Sequence, residues 1–103
     1  MPVWARLKAR LHKNIIGPQV RRLRHERGWS QPAFAAECQR RGWDIDRDTV
    51  AKIEGRTRWV SDYEVVIIAR TFGVAFEVLL PATKLTADAL REFLNRPLSR
   101  RSE

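Results

Sequence analysis

Arg47, Asp48, Thr49 and Lys52 are the residues of this chain whose types and spacing suggest chemistry. They fall in a short helical pattern from about 46 to 54, with Val50 and Ile53 expected to face inward. An arginine at 47 is long enough to fork onto O6 and N7 of a guanine. Asp48 could accept from the N4 amine of a cytosine, and Thr49 could meet a thymine methyl or a phosphate. Lys52, one turn after Asp48, could reach a base or the backbone. Arg56, Thr57 and Arg58 follow directly and suit phosphate contacts that fix register. This is hydrogen-bonding chemistry that a duplex could accept, and the bland alternative for each residue is an ordinary solvated surface.

Bond-making chemistry is not suggested. Cys38, His12 and His25 lack metal-ligand spacing. There is no glycine-rich phosphate loop, no nucleophile elbow and no pair of carboxylates in an apolar run. We therefore expect no catalytic residue, no metal, no cofactor and no enzyme activity.

Elements that could position these residues can be read along the chain. Trp4, Leu7, Leu11 and Ile15 recur at spacings of three and four, which predicts a basic amphipathic helix over residues 1–15. Gly17-Pro18 breaks that pattern, and Pro18 suits the first turn of a second helix that carries Val20 and Leu23 and stops at Gly28. Ser30 caps the next, with Phe34, Ala35 and Cys38 on one face and Gly42 as its stop. Asp46 caps the helix that holds Arg47 and Lys52, and Gly55 ends it. Ser61-Asp-Tyr-Glu64 is a capping box. It opens a helix with Val65, Ile68, Ala69 and Phe72 inward and Gly73 as its stop. Residues 75–80 form a short apolar turn or helix before Pro81. A last helix over 86–95 carries Leu90, Phe93 and Leu94. No segment sustains a period of two, so the fold class is all-α.

The chain has 103 residues, enough for one domain with a core that needs no disulfide. Its single cysteine points to a reducing compartment. No apolar run approaches the ~20 residues of a membrane span. A soluble, cytoplasmic protein without a membrane partner is expected. The net charge is +8, with eight Lys/Arg against one acid in residues 1–30 and near balance afterwards. A basic surface draws polyanions through its long-range field and counterion release.

At this point the residues carry a resemblance. The pieces are Val-Arg-Arg-Leu-Arg24, Arg-Gly-Trp-Ser-Gln31, Phe-Ala-Ala-Glu-Cys38, Thr-Val-Ala-Lys-Ile-Glu54, Val-Ser-Asp-Tyr-Glu64 and Ala-Arg-Thr-Phe-Gly-Val74. Each alone is weak, but six in order at compatible spacing over about two thirds of the chain are strong. The chain resembles the Cro/repressor-type helix-turn-helix family, also called the xenobiotic-response-element family, in a long-turn variant. The resemblance implies a five-helix repressor-like DNA-binding core over 16–81. An extra N-terminal helix at 1–15 and an extra C-terminal helix and tail at 82–103 would flank it. It also implies sequence-specific binding of double-stranded DNA, transcriptional regulation of a repressor-like kind and a homodimer on a palindromic operator. Gln31 would clamp a phosphate at a helix N-terminus. Arg24 and Glu54 would form a partly buried structural ion pair.

Two departures stand out. Residues 39–44 replace a single glycine step between the paired helices, so the first of them should run about one turn longer. Gly55 also follows Glu54 at once, where the family often has its glycine two positions later, and Arg56 takes that later place. Asp44, Asp46 and Asp48 make residues 44–52 net −1, which phosphates would repel. Asp46 is accounted for as a cap, and Asp44 is expected to pair with Arg40 or Arg41. That acidic start favours an alternative: the same fold used as a protein-interaction module or antitoxin-like partner. The tryptophans at 29, 43 and 59 flank turns and read as lids on the core, and Cys38 reads as a small core residue. The dimer contact is expected from the helix at 86–95 or the N-terminal one.

Overall fold

The computed structural model describes residues 12–81 together with Arg91, Leu94 and Asn95. Lys13–Ala82 forms one compact unit. Its elements are α1 (Gly17–Glu26), α2 (Gln31–Arg40), α3 (Arg47–Glu54), α4 (Asp62–Phe72) and a single 3-10 turn, Phe76–Leu79. The described residues are all helix and loop, with no strand among them. Where the family pattern implies a fifth helix, the chain makes the four-residue 3-10 turn.

Local rules account for where the helices begin. The Ser30 hydroxyl accepts the Ala33 N–H at 3.2 Å, and the Asp46 carboxylate accepts that of Thr49 at 2.8 Å. Ser61 and Glu64 exchange both bonds of the capping box. Each of these caps is preceded by an apolar residue that lies five positions before an inward residue of the helix: Trp29 with Phe34, Ile45 with Val50, Val60 with Val65. All six are buried in the core or packed against it, the placement of a hydrophobic staple. Trp29 and Phe34 stack with Phe72, the Phe34 and Phe72 centroids lying 4.7 Å apart.

The exits are just as regular. Gly28, Gly42 and Gly73 take left-handed backbone, and in each case the next residue donates back to a carbonyl five positions earlier. Gly42 therefore closes α2, which runs ten residues from Gln31 to Arg40. Beyond it, the Gln39 amide donates to Ile45 O at 2.7 Å and Ile45 is buried, so the long connection is anchored at its far end.

One core runs through the unit. Val20 and Leu23 of α1, Phe34 and Cys38 of α2, Val50 and Ile53 of α3, Ile68 and Phe72 of α4 and Leu79 of the 3-10 turn meet there. Trp29 and Trp43 pack on its rim and Trp59 is half-buried. Burial pushes the Cys38 thiol up to about 11, although the Thr71 side chain pulls the other way, so the group stays a neutral core residue.

Two expectations change at the edges. Residues 12–16 are not helical, so the basic helix does not reach Ile15, and its remainder lies outside the described residues. The helix at 86–95 also lies largely outside them. Within it, Arg91 and Leu94 are helical and Asn95 N–H donates to Arg91 O at 3.0 Å. No helix among the described residues is long and apolar enough to cross a membrane.

Candidate nucleic-acid interface

The eight residues of α3 divide cleanly by side. Val50 and Ile53 are fully buried. The Glu54 side chain, 5% exposed, receives Arg24 in a two-pronged pair: Nε donates to Oε2 at 2.6 Å and Nη2 to Oε1 at 3.0 Å. The remaining Arg24 nitrogen, Nη1, donates to Trp29 O at 2.8 Å. The Glu54 hydrogen bond is the main reason the Arg24 guanidinium holds its proton even more tightly than usual. This pair ties α1, the turn before α2 and the end of α3 into one block.

The opposite side of α3 stays open. Arg47, Asp48 and Lys52 are exposed, and the Arg47–Asp48 contact is long, at 3.7 Å. Asp48 and Lys52, four apart, stack on one side of the helix, and Arg47 opens the helix beside them. Thr49 is half-buried, and its hydroxyl donates to Asp46 Oδ1 at 2.9 Å, so it works as a second part of the cap. The two Thr49 bonds hold the Asp46 carboxyl below its ordinary range. Asp44 is exposed, while Arg40 and Arg41 both pair with Glu37. The expected Asp44 pairing is thus replaced by bonds to Glu37, one turn back on α2, where helical spacing already sets the partners side by side.

The residues expected to grip phosphate are placed less openly. The Gln31 amide donates to Glu54 Oε1 at 3.2 Å, which joins it to the buried pair and leaves its carbonyl oxygen unengaged there. Arg58 forks onto Glu64, Nη1 to Oε1 at 3.1 Å and Nη2 to Oε2 at 3.0 Å, and Nη1 also donates to Trp59 O. Thr57 Oγ1 donates weakly back to Lys52 O, at 3.4 Å. Arg56 is half-buried and its Nε donates to Asn14 O at 2.8 Å; burial alone lowers its proton affinity.

Arg56 also settles how α3 ends. Gly55 keeps right-handed backbone, and Arg56 takes the left-handed turn at φ 62°. The bonds from Arg56 N–H to Ile53 O and from Thr57 N–H to Lys52 O repeat the pattern that glycine closes elsewhere in the molecule. The helix exit therefore lies one residue later than Gly55 suggests. A non-glycine residue in this conformation costs about 1–2 kcal/mol, and the strain is offset by what holds the loop.

That hold comes from residues 13–16, of which the sequence pattern assigns 13–15 to a helix. Asn14 Nδ2 donates to Ile53 O at 3.1 Å and to Arg58 O at 3.0 Å. Its Oδ1 accepts the N–H groups of Ile16 and Gly17 and so opens α1. Lys13 N–H donates to Arg56 O at 3.0 Å. The two backbones come so close that a side chain on Gly17 would sit 2.5 Å from Ile53 O. The one local signal was an asparagine three residues before Gly17-Pro18, a common turn-forming placement.

Comparison with family models, with curated proteins and with solved structures finds no match. Among the described residues no group of three or more His, Cys, Asp and Glu is placed to hold a metal ion.

Proposed function

We propose that this chain binds double-stranded DNA sequence-specifically and acts as a repressor-like transcriptional regulator, with α3 laid in the major groove. The observation that carries the reading is the two-sidedness of α3. Its inner side is fixed by Val50, Ile53 and the Arg24–Glu54 pair, while Arg47, Asp48 and Lys52 face solvent on a rigid mount. A helix held that way can carry base-reading side chains without first being ordered. On this reading Arg47 and Asp48 read bases, and Lys52, Gln31 and Thr57 meet phosphates. Arg56 and Arg58 serve chiefly to hold the helix exit. The order of four helices and a 3-10 turn supports a repressor-like core, with the turn standing for its fifth helix. A cytoplasmic homodimer on a palindromic operator belongs to the same proposal.

Selection of bound sites from random duplexes tests it. The expected result is a consensus with two related half-sites, and an affinity that falls with salt at a log–log slope of about −4 to −5 for ~5 phosphate contacts. A pool that never enriches, or an affinity indifferent to salt, would contradict it. A second reading, a protein-interaction module or antitoxin-like partner, is favoured by one observation: Asp44 and Asp48 are both exposed at the start of α3. Retention of one stoichiometric protein from nuclease-treated host lysate, with no duplex enriched, would select that reading.

A further inference from the structure

We infer that α4 is a self-association surface, pairing antiparallel with α4 of a second copy of this chain across a two-fold axis near Val66. A surface helix normally turns a polar side to water. Here the outward side carries Tyr63, 81% exposed, and Val66, 44% exposed, with Ile67 half-buried beside them. These stand at i, i+3 and i+4 and so form one apolar strip. Scattered exposed apolar residues are ordinary, but a contiguous strip on one helix marks a contact surface.

The charges at its ends say which occupant fits. Asp62, Val66 and Arg70 stand at i, i+4 and i+8, spanning about 12 Å along the helix. Asp62 and Arg70 are both exposed, and neither has an ion-pair partner among the described residues; the Asp62 carboxylate accepts only its neighbour's N–H, that of Tyr63, at 2.8 Å. The strip is therefore acidic at one end, apolar in the middle and basic at the other. Turned through a two-fold axis over Val66, it sets Asp62 against Arg70 of the second copy and Arg70 against its Asp62. That is the self-complementarity an isologous interface requires. It places the dimer contact on α4, where sequence reasoning looked to the terminal helices. The inference does not depend on DNA binding.

Charge reversal tests it, in sedimentation velocity without DNA. The wild-type chain is expected to associate reversibly to dimer. Asp62→Arg or Arg70→Asp alone sets like charges together at both ends and should weaken the dimer by about 10-fold or more. An equimolar mixture of the two variants restores opposite charges at both ends and should recover dimer as the heterodimer. Circular dichroism of each variant, checked first, confirms that it is folded. Val66→Glu, which keeps both charged ends, should also dissociate the dimer. The inference is overturned if the wild type stays monomeric at ~100 μM, if the variants dimerise as well as the wild type, or if mixing the folded variants restores nothing.

Discussion

The outward side of α3 and the loop that follows it carry the same kinds of residue with opposite fates. Arg47 and Lys52 on the helix are exposed, and Arg47 has only a 3.7 Å neighbour in Asp48. Arg56 and Arg58, a few residues on, are half-buried and bonded to Asn14 and Glu64. Both stretches look equally basic in the sequence. A long cation next to a carboxylate or a free carbonyl becomes scaffold, whereas one with only solvent before it stays available to a ligand. On the proposed reading, basic residues that hold α3 and those left free to meet a ligand are told apart by their partners, not their type.

The comparison breaks most visibly at the pair that supports both regions. Replacing Glu54 by Ala strands a buried guanidinium and should cost about 3–5 kcal/mol in urea unfolding. A loss below ~1 kcal/mol would mean that the pair is not what fixes α3.

Arg47→Ala and Arg58→Ala sharpen the contrast. Arg47→Ala should cost about 1–3 kcal/mol of affinity for the preferred site and relax base choice there, with stability unchanged within ~0.5 kcal/mol. Arg58→Ala should lower stability by up to about 1 kcal/mol, since its pair with Glu64 is only partly screened from solvent. Its affinity loss should be the same on every sequence. Equal effects from both variants would erase the distinction.

Acid should act on the scaffold as well. Burial alone would push the Glu64 carboxyl up, but the Arg58 hydrogen bond and the Ser61 backbone N–H outweigh it and hold the group below its ordinary 4.5. Asp46 is likewise held below its ordinary 3.8 by Thr49. Groups depressed in the folded state stabilise it fully above their unfolded values and lose that contribution as pH falls through the folded ones. Thermal stability should stay level from neutrality down to about the ordinary carboxyl range and then decline. Glu64→Gln should flatten part of that decline, and an unchanged profile would remove Glu64 from the account.

The smallest effect is expected at Arg56. Arg56→Ala keeps the left-handed backbone and loses the bond to Asn14, so it should destabilise by about 1 kcal/mol. Arg56→Gly relieves the backbone as it loses the same bond, and should end within about 1 kcal/mol of wild type. Thermal melting of the two variants orders them, and Ala above Gly would contradict the strain.

Much of this architecture was legible because it is local. Ser30, Asp46 and Ser61 announce helix starts, and Gly28, Gly42 and Gly73 announce stops, each acting within about five residues. The Arg24–Glu54 pair spans 30 positions and was reached only through the family resemblance. The part that escaped is equally long-range: the carbonyls that Asn14 binds lie 39 and 44 positions away. No periodicity encodes such a contact, so residues 13–15 read as the end of a helix and Arg56 as an open cation. The open side of α3 was legible because Val50 and Ile53 fix which way the rest must point.

Methylation interference on the selected site measures most directly whether α3 reads the major groove. Methylating N7 of a half-site guanine should abolish binding by the wild-type chain, and Arg47→Ala should lose sensitivity at that one guanine while keeping it elsewhere. Binding that tolerates N7 methylation at every guanine, yet fails on N3-methylated adenine in the minor groove, would contradict the account.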